Sequence, residues 1–359
     1  MPISGSRNTG PILAFVDCEI DASAGADGGS GQVQAHGRRE VVISGKRIKT
    51  VDIHAHCIVP EAAQLINRSL ESPDLLWSNI GDRLAQMDRS GVDVQALSIN
   101  PYWYQAERDA VAELIRVQNE ALAGFCASQP DRFVAFATAS LQYPDLATEQ
   151  VEQAVKNLGF RGIGVGGSVA GEELANPKFH PFWAKCEELG VLVFMHPLGT
   201  RELEPSGRLA GNGLLTNTIG NPLETTIALS HLIFEGTLDR FPGLKICASH
   251  GGGFLPSYAD RSDAVITTFP DRVGPLPKKK PTEYIRGGQL YFDSIMFTGE
   301  GMRHLIAEAG IDHVILGTDY PFPWNTAPVD HVMSIPGLSD EDRIKILGGT
   351  AAKLLGIEE

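Results

Sequence analysis

Eight short apolar runs, spaced along the chain from residue 50 onward, constrain its fold more than any other feature of the sequence. Each run is rich in apolar or β-branched residues and ends in polar or glycine residues. The runs cover residues 50–54, 94–99, 133–138, 161–165, 191–195, 244–248, 290–294 and 313–317. Continuous apolar strands of this kind are typical of a parallel sheet that is covered on its outer face.

The longer segments between these runs have the periodicity of helices. Their apolar residues recur at spacings of three and four, as in Leu114, Val117, Leu122 and Phe125. We interpret as helical residues 106–128, 145–158, 178–189, 222–240 and 300–309. Eight strands alternating with helices predict a (β/α)8 barrel, and 359 residues suit such a barrel with insertions. An open doubly wound sheet is the alternative, but no GxGxxG motif follows the first strand.

The first 45 residues differ in composition from the rest of the chain. Residues 23–31 are small and polar, with four glycines, and read as a flexible connection. Apolar runs at 12–16 and 41–43 lie on either side, and we interpret them as a strand pair over one end of the main domain. The predicted organisation is an N-terminal extension over residues 1–45 and a barrel over residues 46–359.

The net charge disfavours two classes of partner, and the cysteine content indicates the compartment. The net charge of −14 argues against nucleic acid or an anionic membrane surface, since both recruit basic patches. The five cysteines are scattered without a CxxC pair, which indicates a reducing compartment rather than a disulfide framework. No run approaches the roughly 20 apolar residues of a membrane span, and no secretory signal is evident. We therefore expect a cytoplasmic protein.

Residues that bind metals or transfer protons stand at the ends of four predicted strands. His54 and His56 close the first strand, His196 follows the fifth, His250 the sixth and Asp319 the eighth. In an α/β barrel these ends meet at one mouth. Side chains two apart on a strand point the same way, so both histidines of the first strand can hold a divalent ion. His196 and Asp319 complete a set of three histidines and one aspartate, with a coordination position left for water or substrate.

These residues, together with four longer stretches, resemble the amidohydrolase superfamily and, more closely, its branch around aminocarboxymuconate-semialdehyde decarboxylase. The stretches are residues 87–98 (MDRSGVDVQALS), 222–226 (PLETT), 249–253 (SHGGG) and 317–322 (GTDYPF). The similarity runs from about residue 48 to the C-terminus. It implies that His54, His56, His196 and Asp319 bind the metal. It also implies that His250 is the acid–base residue, so His250 and Asp319 are the candidate catalytic residues.

The resemblance further implies two arginines that bind a substrate carboxylate. Arg83 precedes the first matching stretch by four residues, and Arg261 follows His250 by eleven. The family supplies the arginine that matches Arg261 from a neighbouring subunit, so a homodimer or a larger homo-oligomer is expected. For each arginine the alternative is an ion pair with a nearby acid.

Aromatic residues follow two of the predicted strands. Tyr102, Trp103 and Tyr104 come after the second strand, and Phe322 and Trp324 come after the eighth. Trp103 is a candidate for stacking on an aromatic or conjugated substrate. The alternative is that these rings pack at the rim against the next helix.

Two departures from the family bear on the reaction. Residues 164–168 (GVGGS) contain no lysine where two-metal hydrolytic members carry a modified one, so a single metal is expected. Leu198 follows Pro197 where the decarboxylase has a tryptophan, and residues 200–217 also differ from it. The pocket is therefore expected to accept a different substrate.

The sequence thus predicts a metal-dependent, non-oxidative decarboxylase of a small carboxylated aromatic or muconate-type acid. The metal would act as a Lewis acid and His250 as the acid or base. Three histidines favour zinc, with manganese as the alternative. A hydrolase or hydratase that uses a metal-activated water stays open. A barrel that has lost catalysis is a third possibility, against which the complete ligand set argues.

Overall fold

Eight parallel strands form one sheet whose neighbours follow chain order. The computed structural model describes residues 15–16, 19–20, 37–68, 80–272, 274–275 and 277–358. The strands are β1 (Val51–His56), β2 (Val94–Ser98), β3 (Phe133–Ala137), β4 (Gly162–Val165), β5 (Leu192–Met195), β6 (Lys245–Ala248), β7 (Leu290–Asp293) and β8 (Val314–Ile315). Hydrogen bonds from Ile53 N–H to Leu316 O (2.9 Å) and from His56 N–H to Tyr320 O (2.7 Å) join the first strand to the last. The sheet is therefore closed, and the predicted barrel is confirmed.

Helices cover the outer face of the barrel. They are α1 (Pro60–Gln64), α2 (Ile80–Ser90), α3 (Arg108–Ser128), α4 (Pro144–Leu158), α5 (His180–Leu189), α6 (Asn221–Phe234), α7 (Thr237–Arg240), α8 (Leu255–Thr268), α9 (Pro281–Ile285), α10 (Gly299–Ala309), α11 (Pro328–Met333), α12 (Asp340–Ile344) and α13 (Thr350–Leu355). The predicted helix over 222–240 is broken into α6 and α7, because Gly236 adopts a left-handed φ of 76°. Across the described residues, no helix is both long and apolar enough to cross a membrane.

The interior of the barrel is filled with apolar side chains contributed by most of its strands. They include Val51, Ile53, Val94, Ala96, Phe136, Leu192, Phe194, Cys247 and Ile315. The rings of Phe136 and Phe194 stack with centroids 5.2 Å apart. Phe194 also lies 5.0 Å from the ring of His54. This packed interior therefore forms an apolar floor beneath the C-terminal ends of the strands, where catalytic groups of such barrels stand.

Two short antiparallel strand pairs precede the barrel. Val41–Ile43 pairs with Lys46–Ile48, and Phe15–Val16 pairs with Glu19–Ile20. Left-handed φ angles at 44–45 form the tight turn that brings 46–48 alongside 41–43. Residues 12–14 lie outside the described residues, so the expected pairing of the runs at 12–16 and 41–43 stays a prediction. Because this hairpin crosses residue 45, the boundary between extension and barrel stays a prediction.

Candidate metal centre and active site

Four buried side chains converge at the mouth of the barrel. His54 and His56 lie at the end of β1, His196 directly follows β5, and Asp319 follows β8. One ligand atom from each residue lies within 4.8 Å of the ligand atoms of the others. These are the four ligands predicted from the strand ends. In the described part of the chain, this is the one cluster of His, Cys, Asp or Glu side chains with such spacing.

The donor atoms of this cluster are arranged as a cation requires. The Nε2 atoms of His54 and His56 are 3.0 Å apart and lie 3.1 and 2.9 Å from Asp319 Oδ1. His196 Nδ1 lies 2.8 Å from Pro197 O, which makes Nδ1 the protonated nitrogen. His196 Nε2 is buried without a hydrogen-bond partner. An unsatisfied buried polar atom costs about 1–3 kcal/mol, and a metal ion bound to this nitrogen would remove that cost. A divalent ion held by these four residues therefore fits the site.

Asp293, at the end of β7, connects the metal ligands to the turn that carries His250. Its fully buried Oδ2 atom lies 2.6 Å from His54 Nδ1, so His54 turns Nε2 towards the centre. The same oxygen accepts the N–H of His250 at 2.9 Å, and Oδ1 accepts the N–H of Gly251 at 2.9 Å. Asp293 is not among the site residues predicted from the sequence. The available signal was a lone acid in an apolar run, at the strand position where the other site residues stand.

Burial and the nearby carboxylates set the charge of the metal-free cluster. Burial lowers the pKa of His56 to about 4 and the pKa of His196 well below its ordinary value. Burial alone would also lower the pKa of His54, but Asp319 and Asp293 raise it to about 10. Burial would raise the pKa of Asp319, yet the charge of His54 holds it well below its usual range. The cluster therefore holds a proton on His54 and a negative charge on each aspartate.

His250 lies at the rim of the centre rather than within the ligand set. Its side chain is 16% exposed, and its Nε2 atom is 3.7 Å from Asp319 Oδ2. Both residues adopt left-handed backbone conformations, with φ of 53° for His250 and 60° for Asp319. Such conformations are strained for residues other than glycine and cluster at functional sites. A partly exposed imidazole beside the ligands is placed where it can exchange a proton with a bound substrate.

Arg83 is buried against the end of β1. Its guanidinium donates hydrogen bonds to His56 O (2.6 Å) and to Gln95 Oε1 (3.1 Å). It also lies 4.3 Å from the centroid of the Tyr320 ring, at a cation–π distance. With the described residues it forms no ion pair, so the acid partner considered as the alternative is not found among them. Arg83 thus places a positive charge beside the backbone of a metal ligand.

Arg261 lies on the exposed surface of α8. No hydrogen bond or ion pair joins it to the four ligands within this single chain. The same helix exposes two apolar side chains at helical spacing from Arg261, namely Tyr258 (62% exposed) and Val265 (41%). The structure of one chain therefore does not bring Arg261 together with the other site residues.

The aromatic residues beside the centre follow β8 rather than β2. Trp103 is fully buried, and its indole N–H donates to Ala139 O at 2.9 Å. That arrangement fits the rim-packing alternative and not stacking on a substrate. The ring of Phe322 lies 5.8 Å from the ring of His56, and Trp324 stacks on Phe322 at 6.3 Å. These two rings form an apolar wall next to the ligands.

Two glycines directly after β4 are crowded by neighbouring side chains. A Cβ atom added to Gly166 would lie 2.7 Å from Leu198 Cδ1, and one added to Gly167 would lie 2.8 Å from Glu224 Cδ. Both distances are too short for ordinary carbon contacts. Side chains from the loop after β5 and from α6 thus fill the space beside these two glycines. Residues 164–168 contain no lysine, which is consistent with the expectation of a single metal.

Comparison with known proteins gives consistent matches over the barrel. The family described as Amidohydrolase matches residues 51–357. A 2-amino-3-carboxymuconate-6-semialdehyde decarboxylase from Dictyostelium discoideum is 32% identical over 279 residues, covering 77% of this chain and 76% of that protein. A gamma-resorcylate decarboxylase from Rhizobium sp. (strain MTP-10005) is 31% identical over 329 residues, covering 85% of this chain and 97% of that protein.

Solved structures agree with these matches. The crystal structure of a dihydroxybenzoic acid decarboxylase from Polaromonas sp. JS666 superposes with a TM-score of 0.71 at 26% identity. The match covers 87% of this chain and 98% of that chain. That structure contains bound manganese and the inhibitor 2-nitroresorcinol.

Proposed function

The chain belongs to the amidohydrolase family, and on this premise we propose that it is a metal-dependent, non-oxidative decarboxylase of a small carboxylated aromatic or muconate-type acid. The observation that carries the proposal is the buried cluster of His54, His56, His196 and Asp319, with His250 beside it at the barrel mouth. The relatives named above decarboxylate acids of this kind. The missing lysine at the end of β4 argues against the hydrolase alternative.

We propose that the cluster binds one divalent ion per chain. Three imidazoles favour zinc, and the manganese in the Polaromonas relative makes manganese the alternative. When bound, such an ion stabilises negative charge on a substrate oxygen next to the departing carboxylate. The chain's own contribution is to hold the donor atoms. Asp293 fixes the His54 ring through Nδ1, and the Pro197 carbonyl fixes the His196 ring in the same way.

The proton step is assigned to His250. Decarboxylation replaces a carboxylate by hydrogen, so a proton must reach the carbon that loses CO2. His250 is partly exposed and lies 3.7 Å from a ligand oxygen, which places its Nε2 atom at the edge of the space that a bound substrate would occupy. The backbone N–H groups of His250 and Gly251 both donate to Asp293, so the backbone of the turn that carries the imidazole is held beside the cluster.

We assign binding of the substrate carboxylate to the two arginines, and contact with the substrate ring to the apolar wall of Phe322 and Trp324. A planar guanidinium can hold a carboxylate with two parallel hydrogen bonds. Arg83 is buried against the end of β1 of the same chain, whereas Arg261 is exposed on α8 beside Tyr258 and Val265. We propose that α8 packs against a second copy in a homodimer or larger assembly, so that Arg261 of the partner subunit completes the pocket. Phe322 and Trp324 then take the stacking role that was considered for Trp103.

We propose a small-molecule carboxylate as the partner and the cytoplasm as the compartment. The net charge of −14 disfavours nucleic acid or an anionic membrane as a partner. The four described cysteines are free thiols. Free cysteines support the proposed reducing, cytoplasmic environment.

A screen for CO2 release tests the proposed reaction directly. Metal-loaded protein is incubated with ortho-hydroxy and ortho-amino aromatic acids, and evolved CO2 is measured against protein-free samples. We expect CO2 from at least one acid, because only decarboxylation produces it. If the protein instead added water to a substrate and released no CO2 from any acid, it would be a hydrolase or hydratase and not a decarboxylase.

A further inference from the structure

The first turn of α6 contacts two loops that carry active-site residues. This turn contains residues 222–226 (PLETT), a stretch that matches the family but has no role in the reaction proposed above. One side of the turn faces the loop after β5, which begins with His196. The other side faces the loop after β6, which begins with Ser249 and His250. Each contact is made by one polar side chain of the turn.

Glu224 holds the loop after β5. Its carboxylate is buried, with the residue only 5% exposed, and Oε1 accepts the hydroxyl of Ser168 at 2.8 Å. Oε2 accepts the backbone N–H of Leu198, which is two residues beyond the metal ligand His196. Gly167 lacks the Cβ atom that would collide with this carboxylate. Glu224 therefore fixes the His196 loop against the end of β4.

Thr226 holds the loop after β6. Its hydroxyl accepts the backbone N–H of Phe254 at 2.8 Å and donates to Pro222 O at 2.7 Å. Gly253 has a left-handed φ of 64°, and a Cβ atom at this position would overlap Pro222 O. The loop that begins at His250 is therefore pressed directly onto the backbone of the α6 turn.

We infer that the first turn of α6 is a positioning element that sets the metal ligand His196 through Glu224 and the acid–base residue His250 through Thr226. Neither side chain needs to touch the substrate. Groups that orient metal ligands typically change metal affinity or activity by about 10- to 100-fold when they are replaced. The Thr226 part of the inference rests on the proposed function, because it assumes that His250 transfers the proton.

Glu224→Gln tests the first contact without any substrate. The glutamine side chain would place an NH₂ group where one carboxylate oxygen of Glu224 now accepts a hydrogen bond from Ser168 or Leu198. We expect metal affinity, measured by titrating metal-free protein with zinc and with manganese, to fall at least about tenfold. Glu187→Gln is the matched control. Glu187 also accepts a backbone N–H, from Gly243, but at the N-terminal end of β6. Its zinc and manganese affinities should stay within about twofold of the parent protein.

Thr226→Val tests the second contact, since valine keeps the shape of threonine but has no hydroxyl. We expect the rate of CO2 release to fall about tenfold while metal affinity stays near that of the parent protein. Amide hydrogen exchange over residues 249–258 should become faster. Ser230→Ala is the control, because the Ser230 hydroxyl donates to Thr226 O one turn further along α6 and has no hydrogen bond to either loop among the described residues.

The two readouts separate this inference from the proposed reaction. Metal affinity and amide exchange need no turnover, so they judge the positioning role even if the parent protein releases no CO2. Metal binding by Glu224→Gln as tight as in the parent protein, with unchanged exchange over residues 249–258 in Thr226→Val, would overturn the inference. So would a loss of thermal stability in both variants with metal affinity and loop exchange unchanged.

Discussion

At the scale of single residues, Asp293 links the metal cluster to His250, the proposed acid–base residue. Its two oxygens accept hydrogen bonds from His54, His250 and Gly251. In Asp293→Asn one of these acceptors becomes an N–H₂ group, which opposes a donor. We expect the metal dissociation constant, measured by titration of metal-free protein, to rise about 10- to 100-fold.

Asp93→Asn is the control for that experiment. Asp93 is equally buried, but it accepts the N–H of Thr50 and pairs with Arg38 and Arg47 at the opposite end of the barrel. We expect it to lower the melting temperature and to leave metal affinity unchanged. Parent-like metal affinity in Asp293→Asn would show that this carboxylate does not orient the ligands.

Proton release on metal binding follows from the charge state of His54. Its pKa is raised to about 10 in the metal-free protein, so near neutral pH the ring is protonated and must lose that proton to become a ligand. Burial keeps His56 and His196 neutral. Metal affinity therefore increases with pH, by about tenfold per pH unit, until His54 is deprotonated.

Calorimetry in buffers of different ionisation enthalpy measures this release. About one proton per bound ion is expected near pH 7. A binding enthalpy that is independent of the buffer would contradict the assigned charge state.

Substitution of His250 and Asp319 separates chemistry from metal binding. His250→Ala should keep the metal but lose at least about two orders of magnitude in turnover, the scale of general acid–base catalysis. Asp319→Ala should lose the metal itself, because it removes the single carboxylate of the ligand set. Elemental analysis and CO2 release distinguish the two effects. Near-normal turnover in His250→Ala would remove that residue from the proton step.

At the scale of secondary-structure elements, β4 depends on glycine. A Cβ atom at Gly162 would lie 2.5 Å from Leu192 O on β5 and 2.6 Å from the ring of Phe136 on β3. Gly162→Ala should therefore reduce the free energy of unfolding by about 1–3 kcal/mol, as expected for overpacking.

Gly124→Ala is the matched control, because Gly124 lies in α3 with no atom within 4 Å of an added Cβ. It should raise stability by about 0.5–1 kcal/mol, since alanine is the better helix former. Denaturant unfolding measures both variants. Equal stability in Gly162→Ala and the parent protein would show that the sheet adjusts without cost.

Strand ends were the part of the site that the sequence made predictable. Parallel strands in a barrel deliver their C-terminal residues to one mouth, so His54, His56, His196 and Asp319 could be placed together without a structure. The contacts of Arg83 could not be foreseen, because they join residues through backbone carbonyls and side-chain amides. Burial of Trp103 depends on Ala139 at the end of another strand, for which the sequence gives no pattern.

At the scale of the whole molecule, the alternation of strands and helices was sufficient to predict the closed barrel. Eight apolar runs separated by amphipathic segments have few other parallel arrangements. The pairing of 41–43 with 46–48 was missed because a tight turn between neighbouring segments leaves little sequence signal beyond Ser44 and Gly45. How chains assemble into an oligomer also cannot be predicted from the strand and helix pattern of one chain. The role of Arg261 therefore stays a proposal.

Metal dependence of CO2 release tests the central claim of a metal-dependent decarboxylase most directly. Protein stripped of metal should release no CO2 from an acid that the loaded protein decarboxylates. Activity should return in proportion to added zinc or manganese and reach its maximum at about one ion per chain, as a single four-ligand cluster requires. Undiminished CO2 release from fully stripped protein would contradict the account.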